Sequence, residues 1–124
     1  MRTVAIFGGS GGLGLASAKS LAKDYKLVIG FNSSKDKADN ICRDLNKDGF
    51  SARSVEVNVD NIDSVKSFLK ISNSENDLKG VINAVGPPIP LKPLCDITED
   101  EFKSILSVDV FGAFNVLKES FLML

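Results

Sequence analysis

The sequence predicts an α/β fold: a doubly wound parallel sheet in the strand order 3-2-1-4. Three observations carry this. A short apolar run, Val4–Phe7, leads into five glycines within residues 8–14 and then a helical pattern. Four apolar runs alternate with segments of helical period, which calls for right-handed βαβ crossovers and parallel pairing. The length of 124 residues, 44% hydrophobic and 25% charged, suits one soluble unit of modest size with a real core.

Val4–Phe7 is long enough for a buried strand, and Leu13–Lys23 reads as the first helix. Gly8, Gly9, Gly11, Gly12 and Gly14 lie between them. Strand, glycine turn and helix form a cradle for phosphate: the glycines allow a sharp turn and close approach, and the unpaired N–H groups at the helix start favour an anion. The spacing is G-x-x-x-G-x-G rather than G-x-G-x-x-G. The competing reading is an ordinary βα turn with no ligand.

Lys26–Phe31 reads as the second strand, with Asn32, Ser33 and Ser34 ending it and offering a cap to a helix over Lys35–Lys47. Ala38, Ile41, Cys42 and Leu45 recur on one face of that helix, so Cys42 reads as a small core residue. Asp48-Gly49 closes it. The alternating segment Ser51–Val59 predicts a third strand, and Ile62, Val65, Phe68 and Leu69 mark a third helix. Ser72–Lys79 is polar and predicts a surface loop, and Gly80–Val85 a fourth strand. Residues 86–93 hold all four prolines and predict a loop. Thr98, with Glu101 three residues on, predicts a capping box opening one long last helix. That helix is apolar nearly all round, from Phe102 to Leu122, and needs cover on more than one side. The ligand crevice is expected at the carboxyl ends of strands 1 and 4, where the winding reverses.

Fifteen basic and sixteen acidic residues leave a net charge of −1, which gives no reason to expect nucleic acid or an anionic membrane as a partner. No apolar stretch reaches the roughly 18 residues of a membrane span. Met1-Arg2-Thr3 runs straight into a strand, so no preceding signal peptide is expected. Cys42 and Cys95 show no metal spacing and read as two free thiols in a reducing, cytoplasmic setting. The chain contains no histidine, which excludes a histidine base or histidine metal site within it, and no metal is expected.

These residues resemble the N-terminal half of a short-chain dehydrogenase/reductase. The family's T-G-x-x-x-G-x-G appears as Phe7–Gly14, with Phe7 in the threonine's place. Its N-N-A-G appears in part as Asn83-Ala84-Val85-Gly86. The segment P-L-x-x-[LI]-[ST]-x-x-x-[FW] is mirrored by Pro93–Phe102, and N-x-x-G-x-F by Asp109–Phe114. The resemblance runs through all 124 residues and implies a Rossmann-like domain over 1–124 that binds NAD(P), with hydride transfer between nicotinamide and a carbonyl or alcohol.

The resemblance also assigns roles. Ser10, Gly11, Gly12 and Leu13 would meet the pyrophosphate through hydroxyl and backbone N–H, and Gly8 and Gly14 belong to the same cofactor-binding turn. Asn58 and Val59, at the end of the third strand, would border the adenine, although the family usually has aspartate where Asn58 stands. Asn83, Ala84, Val85 and Gly86 would line the ribose and nicotinamide side. Two plainer roles compete: a strand-end cap for Asn58 and a buried, backbone-serving amide for Asn83. Phe31, Asn32, Ser33 and Ser34, at the end of the second strand, carry no carboxylate before Asp36, which suits NADP better than NAD. The arginine usual in NADP-preferring members is missing.

In the family a tyrosine, with a lysine four residues on and a serine, handles the proton. Here the only tyrosine is Tyr25, with Ile29 four residues on, and it reads as core edge. Asp109 takes the place of the family's active-site asparagine, or is simply a polar helix residue. The expectation is an incomplete sheet, a fragment of a longer chain or one completed by another polypeptide. Its bare fourth strand and apolar last helix predict homo-oligomers. A non-catalytic dinucleotide-binding module is the alternative. A protein binding flavin mononucleotide or a similar phosphate ligand is a third reading.

Overall fold

A computed structural model describes residues 1–124. The strands are β1 (Thr3–Phe7), β2 (Lys26–Phe31), β3 (Ala52–Glu56) and β4 (Leu78–Asn83). The helices are α1 (Gly12–Leu21), α2 (Lys35–Lys47), α3 (Ile62–Ser72), α4 (Glu99–Leu106) and α5 (Ala113–Met123). All pairings are parallel, in the order β3-β2-β1-β4. Phe7 stands opposite both Gly30 and Asn83, so the carboxyl ends of β1, β2 and β4 finish level and their loops open along one edge.

The period of two along a strand divides the core between the sheet's faces. Val4, Ile6, Leu27, Ile29 and Phe31 pack with Ala18, Ala22, Ala38, Cys42 and Leu45 beneath α1 and α2, and Tyr25 sits at that cluster's edge. Ala5, Phe7 and Val28 pack on the other face with Val57, Val59, Val65, Phe68, Leu69 and Val116. Phe7 and Phe68 meet there as a tilted ring pair, 4.5 Å between centroids.

Caps and turns follow the local chemistry. After α2, Gly49 adopts φ +89°, Phe50 N–H donates to Leu45 O and Gly49 N–H to Asn46 O, closing the helix with two crossed bonds. The Asn46 amide then clamps the next strand: its Oδ1 accepts from Ala52 N–H and its Nδ2 donates to Ala52 O, both at 2.9 Å. Thr98 Oγ1 accepts from Glu101 N–H at 3.2 Å, while the Glu101 carboxylate pairs with Lys92 at 2.7 Å.

Several expected boundaries move. β3 ends at Glu56 rather than Val59: Val57 N–H still donates to Phe31 O at 2.7 Å, but β2 stops there and leaves Asn58 and Val59 nothing to pair with. β4 begins and ends two residues earlier than expected, with a register shift after Leu78. Past Ala84, whose N–H still reaches Phe7 O, β1 has turned away. The polar Ser72–Lys79 is therefore not all loop. Buried Ser72 closes α3, donating from Oγ to Phe68 O at 2.8 Å, and Leu78 and Lys79 start β4. α1 ends at Leu21, not Lys23. The long last helix is interrupted by a π-helical segment, Ser107–Gly112, between α4 and α5. Its apolar face lies open, with Phe102, Phe111, Phe114, Leu117, Phe121 and Leu122 all exposed.

Candidate functional site

Gly8 makes the turn after β1 with φ +74°, a conformation that strongly favours glycine. A Cβ there would also lie 2.9 Å from the backbone of Ala84 and Val85, so the glycine turn and the exit of β4 touch main chain to main chain. Gly14 is equally constrained: a Cβ would come 2.1 Å from Gly8 O. By contrast, Gly12 has open space around its Cβ position and Gly11 only an ordinary contact at 3.5 Å. The glycine run thus splits into positions that shape the turn and positions that leave its outer side bare.

That bare side carries donors. No side chain caps α1, and no acidic residue stands in its first turn. The N–H groups of Gly12, Leu13 and Gly14 have no carbonyl partner, and the first helical bond is Leu15 N–H to Gly11 O at 2.7 Å. Three unpaired N–H groups at the positive end of a helix fit a phosphate.

Next to this loop lies a cleft of about 290 Å³. It is lined by Gly8 and Ser10, by Phe31, Asn32 and Ser33, by Val57, Asn58 and Val59, by Val85 and Gly86, and by Pro87, Pro88 and Val108. Most of the residues named from the sequence therefore meet here. Gly11, Gly12, Leu13 and Gly14 stand at the start of α1, and Ser34 at the start of α2, outside the cleft lining. Asn83 ends β4 and Ala84 follows it, both outside the cleft lining, and Asp109 lies in the π segment, exposed and also outside it. A wider recess of about 580 Å³ between α1 and α2, bordered by Lys19 and Asp44, contains none of these residues.

Two local expectations change, at Ser34 and at Asn83. Ser34 occupies the α2 cap position without bonding through its hydroxyl. Lys35, the next residue along, is turned to Asp39, whose carboxylate holds the ammonium above the usual lysine range. Asn83 is exposed rather than buried, its Oδ1 accepting from Val85 N–H at 3.3 Å. Asn58 both caps and lines: its Oδ1 accepts from Asp60 N–H at 3.4 Å while the residue borders the cleft. The N–H of its neighbour Val59 has no partner in the chain.

Sequence reasoning missed the residues behind this wall. Asn115 of α5 donates from Nδ2 to Val59 O at 3.0 Å, and Ser107 Oγ donates to Asp60 Oδ2 at 3.1 Å. A Cβ on Gly112 would come 2.6 Å from Val59 Cγ2, so glycine lets the helix approach.

The fold and the placement of the cleft define a Rossmann-like α/β protein with its crevice at the topological switch point. The chain belongs to the short-chain dehydrogenase family, whose model matches residues 2–124. It is 23% identical over 121 residues to a Staphylococcus aureus 3-oxoacyl-[acyl-carrier-protein] reductase, covering 96% of this chain and 49% of that protein. It is 27% identical over 124 residues to the trihydroxynaphthalene reductase of Colletotrichum orbiculare, covering 98% and 44%. The chain spans about half the length of the curated relatives it matches. In fold it resembles a dehydrogenase/reductase from Sinorhizobium meliloti, with a TM-score of 0.88 at 19% identity, covering 96% of this chain and 48% of that one. A Serratia marcescens short-chain dehydrogenase/reductase gives the same TM-score at 18% identity, covering 99% and 51%.

Proposed function

We propose that residues 1–124 form the nucleotide-binding part of an NADP-preferring oxidoreductase that moves a hydride between nicotinamide and a small carbonyl or alcohol. The observation that carries this is the continuity of two features: unpaired N–H groups at the start of α1, beside the open Gly12 position, and the adjoining cleft. The relatives' names, both reductases, agree with it. When bound, the nicotinamide supplies the hydride chemistry. The chain's own part is to hold the diphosphate at Ser10–Gly14, one nucleoside along Phe31–Ser33 and Val57–Val59, and the other beside Asn83–Gly86.

The preference for NADP rests on the end of β2. Asn32 and Ser33 border the cleft and Ser34 keeps its hydroxyl free, with no carboxylate among them to repel a 2′-phosphate. Lys35 adds little, being paired with Asp39. Proton transfer falls to groups outside these residues, because Tyr25 packs at the core edge and no tyrosine has a lysine four residues on. The exposed Asp109 and the position of Tyr25 favour, as a second reading, a module that binds the nucleotide without catalysis. On this proposal the protein works in the cytoplasm, and copies associate through the open apolar face of α4 and α5. Sedimentation showing a monomer at high concentration would count against that association.

Calorimetry of the full-length protein with NADPH and NADH is the test. NADPH should bind more tightly, and Asn32→Asp should erase the difference; NADH tighter by tenfold in the unaltered protein refutes the preference. Turnover against a panel of carbonyls then separates the oxidoreductase from the silent module.

A further inference from the structure

The cleft wall at Asn58 and Val59 has left the sheet and has no strand to hold it. It is held from behind instead. Asn115 donates to Val59 O, Gly112 lets the helix close on Val59 Cγ2, and Ser107 donates to Asp60. Val59 is thus fixed through its carbonyl and its side chain, while its N–H stays free of any partner in the chain.

We infer that Asn115 is a positioning residue for the adenosine half of the bound nucleotide. The inference rests on the dinucleotide reading above. Asn115 itself does not line the cleft; it acts through Val59. The half concerned follows from the topology. The end of β2 holds the adenosine ribose in this fold, and Val57–Val59 lie beside it, whereas the nicotinamide half lies across β1 toward β4.

Removing the amide strips the Val59 carbonyl of its side-chain donor and lets the wall sample other arrangements. Apparent affinity is then scaled down in proportion to the fraction of molecules whose wall remains in place. A bond of this kind is expected to change affinity about three- to tenfold. Asn115→Asp keeps the shape but sets an acceptor against an acceptor, so its loss should exceed that of Asn115→Ala. Ser107→Ala removes only the exposed contact to Asp60 and should act in the same direction, more weakly.

The test titrates the full-length protein with NADPH, 2′,5′-ADP and nicotinamide mononucleotide by calorimetry, alongside melting without ligand. Lys118→Ala, an exposed change on the same helix, is the control. The expected result is weaker binding of NADPH and of 2′,5′-ADP in both Asn115 variants, with nicotinamide mononucleotide and the control unchanged. Asn115→Gln, which keeps a donor, should recover part of the loss. Variants that melt lower yet bind all three ligands as the unaltered protein does would reduce Asn115 to a structural role and overturn the inference. Equal weakening of both half-ligands would overturn it too. An unaltered protein that binds none of the three sinks the dinucleotide reading instead, and the inference falls with it. Should Asn115→Asp fail to fold, Asn115→Ala and Ser107→Ala still decide the matter.

Discussion

Gly12 and Gly14 stand two residues apart in the same turn of α1, yet adding one methyl group to each should have opposite effects. At Gly14 the methyl would sit 2.1 Å from Gly8 O, 2.7 Å from Gly9 Cα and 2.8 Å from Gly8 C. An ordinary C···O contact is about 3.3 Å or more. The overlap exceeds an ångström and its partners are backbone, so the turn itself must shift. Overpacking of this kind costs about 1–3 kcal/mol or more, against a helix-propensity gain of at most about 1. A net loss of about 2 kcal/mol is expected for Gly14→Ala. At Gly12 nothing lies within 4 Å, so Gly12→Ala should be neutral or stabilising by up to about 0.5 kcal/mol. Its methyl instead occupies the open side where, on the proposed reading, the N–H groups of α1 would meet the phosphate, and NADPH affinity should fall at least about tenfold, or 1.4 kcal/mol. Urea unfolding of the full-length protein gives the first quantity and calorimetry the second. Normal NADPH binding by Gly12→Ala, or a Gly12→Ala less stable than Gly14→Ala, would refute this division of the two glycines.

Asn46→Ala removes both arms of the clamp on Ala52 and leaves a part-buried N–H and C=O unpaired; the urea midpoint should drop by the equivalent of about 1–3 kcal/mol. Burial pushes the Cys42 thiol up to about 11 whereas Cys95 is exposed, so a disulfide reagent at pH 8 should titrate one thiol quickly and the second only on unfolding. Because the folded pKa of Cys42 is raised, its contribution is complete below the unfolded value near 8.5 and lost as pH rises toward 11; Cys42→Ala should flatten that alkaline decline in melting temperature. Lys26 holds the Asp77 carboxyl below its usual range, so that contribution is present above about pH 4 and lost as pH falls through the lower folded value. Urea midpoints at pH 6, 4 and 3 should therefore decline more steeply for the unaltered protein than for Asp77→Asn.

The sequence was most informative where local chemistry decides alone. β2 and α2 have the expected bounds because a polar Asn-Ser-Ser break and an Asp-Gly close mark their ends. The glycine turn was legible because its neighbours are adjacent in the chain. What escaped depends on partners far away. β3 and β4 end where β2 and β1 stop offering carbonyls, which no pattern within residues 51–59 or 78–85 records. The π segment comes with the close approach of Gly112 to Val59, a contact that composition does not signal. Asn115 was hidden for the same reason. A lone amide on a helix reads as solvated, and its bond to Val59 O joins residues 56 positions apart, which no local pattern records. Asp109 was singled out by motif position alone, and the structure leaves it outside the cleft.

The main-chain contact between Gly8 and the Ala84–Val85 peptide has a thermodynamic consequence. The glycine turn after β1, proposed above to hold phosphate, and the root of the proline-rich stretch that follows β4 cannot shift independently. Any ligand that stiffens the first also restrains the second, and by linkage a partner gripping that stretch would tighten the hold on nucleotide by the same factor. Events at opposite ends of a bound dinucleotide would thus be joined by a seam a few atoms wide.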